Sequence, residues 1–335
     1  MQAHRPDQDM LQMTDPVPIV DVQDLTVDFH GAKPVRAVAG VDLTLRPGEV
    51  LALLGESGSG KSVTLRALMR LLPEHRAVIG GKVLVDGHDV RAMSKRELSA
   101  YRGRTIAMIF QEPGLALDPV YRVGHQITEA VIRHEGASRR EARARALELF
   151  ERVRIPLAAR RLDNYAHELS GGMRQRAMIA LALACRPKVL LADEPTTALD
   201  ATVQIQVLLL LRELQRELGL AVIFVTHDIG VATEIADRIA VMYAGRIVEI
   251  GACRDVIRTP AHPYTVGLLA SRLGASLAKG ERLTAISGSP PDLAHLPRGC
   301  AFAPRCKAVR PICEQAVPDE ISVRDGHRAR CVLAA

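Results

Sequence analysis

Residues 55–62 read GESGSGKS and match the phosphate-loop pattern G-x-x-x-x-G-K-S/T. Its glycines let the backbone direct successive N–H groups at a phosphate, and the N-terminus of the following helix adds partial positive charge. In this pattern Lys61 reaches the β- and γ-phosphates, and the hydroxyl of Ser62 binds Mg²⁺. We therefore predict a nucleotide site formed by Gly55, Glu56, Ser57, Gly58, Ser59, Gly60, Lys61, Ser62 and Val63.

The flanking residues supply the order of elements that such a loop requires. Residues 50–54 (VLALL) are continuously apolar, which is typical of a parallel strand covered on both faces. Residues 63–72 are predicted to form a helix that stops at Pro73. Strand, loop and helix follow one another, so the interpretation as a plain solvent loop with glycines is disfavoured.

A second apolar run, residues 189–192, ends in the acid pair Asp193 and Glu194. In a parallel sheet this strand end lies beside the phosphate loop, where Asp193 would hold Mg²⁺ through water and Glu194 would orient the attacking water. Two adjacent carboxylates are costly unless a cation is near. The alternative is a pair of exposed acids that begin a turn before Pro195, and the phosphate loop favours the first interpretation.

The stretch Ser170, Gly171 and Gly172 opens another predicted helix, within residues 169–176 (LSGGMRQR). Taken alone, such a sequence is only a helix N-cap. However, the chain already has one helix N-terminus for a phosphate, and this would be a second. We therefore predict that Ser170 and its glycines serve the nucleotide held by another subunit.

The composition describes a soluble globular protein of 335 residues with 48% hydrophobic and 24% charged residues. No stretch has the roughly 18 charge-free apolar residues that span a bilayer. Residues 1–17 lack an apolar core and are interpreted as a disordered leader rather than a secretory signal. The net charge of +6 would permit nucleic-acid contact. Glutamates interleave the Arg-rich residues 133–161 and aromatic residues are 3%, so we expect solvated helices and no nucleic-acid partner.

Together these residues resemble the ATP-binding subunit of an ABC transporter, over nearly the whole chain. Met173 stands where the family signature usually has Gln. The resemblance implies an α/β fold of the P-loop NTPase, ABC ATPase type: a RecA-like core with an antiparallel β subdomain and an α-helical subdomain, plus a small Cys-containing C-terminal extension. The implied divisions are a leader at 1–17, a nucleotide-binding domain at 18–258 with its helical subdomain at about 112–168, and the extension at 259–335.

The resemblance also assigns further site residues. Phe29 resembles the aromatic that stacks on adenine, Gln111 the loop glutamine that senses Mg²⁺ and the membrane partner, residues 198–200 with Asp200 the cross-interface loop, and His227 the switch histidine. Gln111 and His227 each follow an apolar strand, at the edge where open parallel sheets bind ligands. Phe29 also fits an ordinary alternating strand that faces a core. The implied catalytic residues are Glu194, His227, Gln111 and Lys61.

Three C-terminal segments, residues 260–265, 288–293 and 299–306, are similar to the dipeptide, oligopeptide and nickel branch of this family. They imply an importer of short peptides, with nickel or another small solute as the alternative. The implied partners are a second ATPase chain, in a heterodimer, two integral-membrane permeases and an extracytoplasmic peptide-binding protein. The implied location is the cytoplasmic face of the inner membrane. Rival interpretations are a soluble ABC ATPase without permeases and a non-hydrolysing regulatory cassette.

Four of the six cysteines lie in the last 36 residues: Cys300, Cys306, Cys313 and Cys331. A nucleotide site implies the cytosol, where disulfides are disfavoured, so thiolate ligation of a metal is the first interpretation. The spacings of five, six and seventeen residues fit neither paired C-x-x-C zinc sites nor the bacterial ferredoxin run. The resemblance implies a [4Fe-4S] cluster, while zinc, free thiols and disulfides stay open.

Overall fold

The computed structural model describes residues 17–31, 33–197, 199–273 and 286–334. Most of the expected leader (1–17), Ala198 of the expected cross-interface loop, and residues 274–285 and 335 of the expected extension lie outside these ranges. In the described part of the chain, no helix combines the length and the apolar character that crossing a bilayer requires.

The strands form two sheets. They are β1 (Val20–Phe29), β2 (Val35–Leu45), β3 (Val50–Leu54), β4 (Ala77–Val85), β5 (His88–Asp89), β6 (Ile106–Ile109), β7 (Val189–Asp193), β8 (Ala221–Thr226), β9 (Arg238–Tyr243), β10 (Arg246–Ala252), β11 (Ile321–Arg324) and β12 (His327–Ala329). The smaller sheet is antiparallel, with strand order β2-β1-β4-β5. The larger has the order β11-β12-β10-β9-β3-β8-β7-β6.

The helices connect these strands and cover the larger sheet. They are α1 (Lys61–Leu68), α2 (Lys95–Arg104), α3 (Pro113–Ala116), α4 (Val123–Glu135), α5 (Arg139–Arg152), α6 (Ala158–Arg161), α7 (Gly171–Ala182), α8 (Ala201–Leu218), α9 (Ile229–Ile235), α10 (Cys253–Arg258), α11 (Pro263–Leu273) and α12 (Pro311–Gln315). Short 3₁₀ turns lie at Ala166–Glu168 and Ala303–Arg305.

The larger sheet is parallel over β9, β3, β8, β7 and β6. Every residue of β3, β7 and β8 is buried, as continuous apolar strands between two layers must be. Val50 pairs with Val222 and Val189 with Ala221, so these three strands run in register. Because the strands are parallel, the ends of β3, β6, β7 and β8 emerge at one edge of the sheet, and that edge carries the site residues.

Local sequence signals set several helix ends. Ser94 and Ser138 each make a full capping box, with Glu97 and Glu141, at the starts of α2 and α5. α8 begins after the Asp200 cap and ends at Leu218, before Gly219 in left-handed backbone. The prediction for α1, residues 63–72, was wrong at both ends.

α1 begins earlier than predicted because Gly60 lies in left-handed backbone, with φ of 105°, and directs Lys61 into the first helical turn. The helix also ends earlier, at Leu68, since Arg70 has φ of 49° and cannot continue it. Lys61 and Ser62 therefore belong to the helix N-terminus itself, where the first N–H groups have no partner within the helix.

The segment after residue 258 packs against the sheet. β12 pairs with β10 and β11 with β12, which extends the larger sheet at its antiparallel end. Glu249 of β10 is fully buried, and its carboxylate accepts hydrogen bonds from the backbone N–H groups of Ala261 (2.8 Å) and His262 (2.9 Å). The same carboxylate lies 2.8 Å from Nε2 of His327, which is also fully buried. A buried charge is tolerated in this way only when several partners satisfy it.

Candidate functional site

The phosphate loop lies at the carboxyl end of β3 and opens onto a cavity of about 870 Å³. The cavity lining includes Lys61, Ser62, Gln111, Glu194 and His227, which come from four different strand ends. The parallel sheet thus brings together residues that are up to 166 positions apart in the chain. The other lining residues of the loop are Glu56, Ser57, Gly58, Gly60 and Val63.

Close approach of the backbone explains the glycines at the two ends of the loop. A Cβ on Gly55 would lie 2.2 Å from the Met242 carbonyl oxygen, and one on Gly60 would lie 2.6 Å from that of Ala37. Both positions also have positive φ, 156° and 105°. Glycine alone fits without displacing β2 or β9, so these residue types hold the loop against the sheet.

Lys61 is 5% exposed, and its ammonium donates to the carbonyl oxygens of Gly55 (2.7 Å) and Glu56 (2.8 Å). Burial lowers the pKa of Lys61, while the negative charges of Glu194, Asp193 and Glu56 act in the opposite direction. A buried cation at a helix N-terminus is suited to a polyanion.

Ser62 and Asp193 face one another at the end of β7. The Ser62 hydroxyl donates to Oδ1 of Asp193 at 2.8 Å, and Asp193 is 2% exposed. Burial raises the pKa of Asp193, and the hydrogen bond from Ser62 partly opposes that rise. A hydroxyl beside a buried carboxylate is a pair of hard oxygen donors, and this donor set fits Mg²⁺.

Glu194 is the centre of a polar cluster. One oxygen of its carboxylate, Oε2, accepts hydrogen bonds from Thr197 (2.9 Å) and Gln111 (3.3 Å) and lies 3.3 Å from Nδ1 of His227. The backbone of Glu194 has φ of 45°, unusual for a residue other than glycine. Such strain persists where the surroundings enforce it, often at a reactive site. Thr197 was not predicted as a site residue, because it belongs to none of the sequence motifs.

The second predicted phosphate-binding site, at Ser170, Gly171 and Gly172, is separate from this cavity. Ser170 is the exposed N-cap of α7, its hydroxyl accepts from the N–H of Met173 at 3.3 Å, and neither it nor Gly171 or Gly172 lines the cavity. Asp200 caps α8. Phe29 ends β1, packs against the core of the antiparallel sheet and also stays outside the cavity lining.

The comparisons with known proteins agree with this geometry. Residues 38–197 match the family model described as "ABC transporter", and residues 248–313 match "Oligopeptide/dipeptide transporter, C-terminal region". Among curated relatives, the Bacillus subtilis (strain 168) oligopeptide transport ATP-binding protein OppD is 47% identical over 94% of this chain and 88% of its own length. The dipeptide transport ATP-binding protein DppD of the same organism is 46% identical over 94% of each chain.

This chain belongs to the ABC transporter family. Among solved structures, it is similar to the dimeric bacterial ABC transporter cassette MJ0796, with a TM-score of 0.63 and 32% identity. That match covers 70% of this chain and 99% of the cassette, and a post-hydrolysis dimer of MJ0796 bound to ADP and Pi matches equally well. The predicted ABC ATPase fold is confirmed, and the protein is an ABC transporter ATPase. The roles of individual site residues stay predictions.

The cysteines of the ABC transporter ATPase are all free, so the disulfide alternative was wrong. Burial raises the pKa of the Cys300 and Cys331 thiols, and the charges of the neighbouring cysteines add to the rise. The four thiols therefore lie within electrostatic reach of one another. Yet across the residues that the structure describes, no group of three or more His, Cys, Asp or Glu side chains is arranged to hold a metal ion. The donor chemistry fits a thiolate-bound metal, whereas the arrangement of the side chains does not.

Proposed function

We propose that this ABC transporter ATPase powers the import of dipeptides or oligopeptides through partner permeases in the cytoplasmic membrane. The observation that carries the proposal is the match of residues 248–313 to the C-terminal region of oligopeptide and dipeptide transporters. The names of the two Bacillus subtilis relatives support the same substrate class. The divisions at residues 17, 112–168 and 258 belong to this proposal, with the extension as the part that marks the peptide branch.

Uptake of labelled peptides tests the substrate. In cells that carry the transporter, replacing this chain by its Glu194→Gln variant should abolish uptake of labelled di- and tripeptides. Unchanged peptide uptake with lost nickel uptake would instead establish the alternative cargo. Failure to co-purify with any integral membrane protein would favour the soluble ABC ATPase.

In the hydrolysis that we propose, a water attacks the γ-phosphate in line with the leaving oxygen. Glu194 would accept the water's proton, and Thr197 and Gln111 would fix its carboxylate. His227, beside Glu194, would contact the γ-phosphate, and Lys61 would neutralise charge on the triphosphate. Mg²⁺, when bound, would neutralise the β- and γ-phosphate oxygens. Phe29 would stack on the adenine once a nucleotide is bound.

The metal role of Asp193 leads to a prediction. Asp193→Asn removes the buried carboxylate that accepts the hydrogen bond from the Ser62 hydroxyl. The Mg²⁺ concentration for half-maximal ATPase activity should rise by about tenfold or more, because a neutral amide binds this cation far more weakly. Metal-free ATP binding, measured in EDTA, should be unchanged or stronger. Equal weakening with and without Mg²⁺ would contradict the role.

The exposed N-cap at Ser170 supports a site completed by a second cassette. We propose a heterodimer with a related ATPase chain, in which Ser170, Gly171, Gly172 and Asp200 face the nucleotide of the partner. A negative charge at this N-cap would repel the partner's nucleotide. It would not disturb the nucleotide bound by the same chain, because Ser170 does not line the cavity beside the phosphate loop.

Ser170→Asp tests the proposed phosphate-binding site at the N-terminus of α7. Asp caps a helix as well as Ser does, but it adds a negative charge. We expect ATP hydrolysis by the assembled transporter to fall by about 100-fold, with unchanged MgATP affinity of the single chain. Ser170→Asn, a neutral cap of the same shape, is the matched control and should retain most of the activity. Equal ATPase activity of the Asp and Asn variants would exclude a role of Ser170 in binding the partner's nucleotide.

A [4Fe-4S] cluster on Cys300, Cys306, Cys313 and Cys331 stays a prediction, with zinc and free thiols as its alternatives. The proximity of the four thiols supports it, and their arrangement does not. Anaerobically purified protein should contain equimolar iron and sulfide and show the visible absorption of an iron–sulfur cluster. Stoichiometric zinc, or no metal at all, would decide for one of the alternatives.

A further inference from the structure

The phosphate loop has a partner outside the nucleotide-binding motifs. Glu56, its second residue, forms a two-point ion pair with Arg305 of the C-terminal segment: Nη1 lies 2.6 Å from Oε2 and Nη2 lies 2.9 Å from Oε1. The side chain of Arg305 is 5% exposed and that of Glu56 is 26% exposed. Paired guanidinium and carboxylate groups with this geometry are among the stronger polar contacts in proteins.

Arg305 is held rigidly on its own side. Its Nε donates to the Ser287 carbonyl oxygen at 2.9 Å, and its guanidinium carbon lies 5.9 Å from the ring centre of Tyr243 and 6.0 Å from that of Phe302. The backbone on which it sits is the 3₁₀ turn Ala303–Arg305, directly before Cys306. The guanidinium therefore has contacts of its own outside the phosphate loop.

A second contact from the same segment reaches the same residue. The hydroxyl of Tyr264, a fully buried side chain at the start of α11, accepts the backbone N–H of Glu56 at 2.9 Å. The rings of Tyr264 and Tyr243 lie 4.6 Å apart, and that of Phe302 lies 5.4 Å from Tyr264. Backbone and side chain of Glu56 are thus both fixed by residues more than 200 positions later.

The charge of Glu56 explains why such a contact matters. A carboxylate within a loop that receives a triphosphate repels the ligand, and Glu56 is close enough to Lys61 to act on the pKa of its ammonium. Pairing with Arg305 neutralises this carboxylate. Without the guanidinium, an unpaired negative charge would remain beside the phosphates.

We infer that Arg305 is a positioning residue for nucleotide binding, which neutralises and orients Glu56 of the phosphate loop, with Tyr264 fixing the backbone of the same residue. The C-terminal segment is then part of the ATP site, in addition to any role in transport. The inference rests on the ATPase part of the proposed function and not on the peptide substrate. Absence of peptide uptake by the unmodified transporter would count against the proposed substrate, whereas unchanged MgATP affinity of an Arg305 variant would count against this inference alone.

The test measures the MgATP dissociation constant of the full chain by calorimetry, together with the melting temperature without nucleotide. Arg305→Ala should weaken MgATP binding by about tenfold, because it exposes the ligand to an unpaired Glu56. Glu56→Gln alone should weaken MgATP binding less than Arg305→Ala does, because it leaves no unpaired carboxylate beside the phosphates. The double variant should bind like Glu56→Gln, since removal of the carboxylate removes the need for its partner.

Arg328→Ala is the matched control, because it breaks another ion pair of the same segment, with Glu320, away from the phosphate loop. It should leave the affinity unchanged. The inference is overturned if Arg305→Ala binds normally, if it weakens binding no more than the control does, or if Glu56→Gln fails to restore the affinity. Should Arg305→Ala be insoluble, Arg305→Gln is compared in the same way, alone and with Glu56→Gln; Gln keeps a polar side chain without the charge that neutralises Glu56.

Discussion

Glu194→Gln should lower the rate of ATP hydrolysis by about a thousandfold, because the amide cannot accept a proton from the attacking water. The substitution replaces the two carboxylate oxygens of Glu194 by one amide oxygen, which accepts, and one amide nitrogen, which donates. The shape of the side chain is kept. Thr197 and Gln111 donate hydrogen bonds to the carboxylate of Glu194. Among the described residues that line the cavity, Glu56 is the only other one that carries a carboxylate. MgATP affinity should be retained or increased.

Single-turnover hydrolysis of radiolabelled ATP measures this loss, with the dissociation constant measured on the same sample. Glu234→Gln, on the exposed side of α9, is the matched control and should hydrolyse ATP normally. Trapping of uncleaved ATP in a cassette dimer is the expected companion result. Hydrolysis within a factor of ten of the wild type would refute the assigned role of Glu194.

Gly60→Ala should weaken MgATP binding by at least about 100-fold, because the loop cannot keep its position. The added Cβ would meet the Ala37 carbonyl oxygen at 2.6 Å and the methyl carbon of Met242 at 2.8 Å. Either β2 moves or the loop lifts from the sheet, and both displace the first turn of α1. A lower melting temperature should accompany the loss.

Gly48→Ala separates this close approach from the strain of positive φ. Gly48 has φ of 71° but nothing within 4 Å of the added Cβ, so the substitution should cost only about 1 kcal/mol of stability. Its MgATP affinity should equal that of the wild type. If Gly60→Ala binds MgATP as well as Gly48→Ala does, the steric explanation is wrong.

The sequence predicted those parts of the site that lie in contiguous motifs at strand ends. The phosphate loop, the acid pair after β7 and the residues after β6 and β8 converge because parallel strands end at one edge. The chemistry of each motif is local, and only the sheet order is needed to bring them together. The ends of α8 are set in the same local way, by the Asp200 cap at one end and by Gly219 at the other.

Other features depend on the folded chain and left no local signal. The contact between Arg305 and Glu56 joins residues 249 positions apart, and no spacing rule connects them. Thr197 acts only through its distance to Glu194. The early start of α1 follows from the left-handed backbone at Gly60, which the loop's approach to β2 enforces. Cysteine spacing likewise could not specify how the four thiols are arranged.

The way β12 joins β10 limits how this ATPase can be taken apart. A chain cut after α10 would bare the hydrogen-bonding edge of β10 and strip Glu249 of His327 and of the two N–H groups that satisfy it. An open strand edge invites association with other chains, and an orphaned interior carboxylate destabilises the core. The C-terminal segment therefore cannot be exchanged freely between related chains. A chimera must supply both a strand that pairs with β10 and hydrogen-bond partners for Glu249.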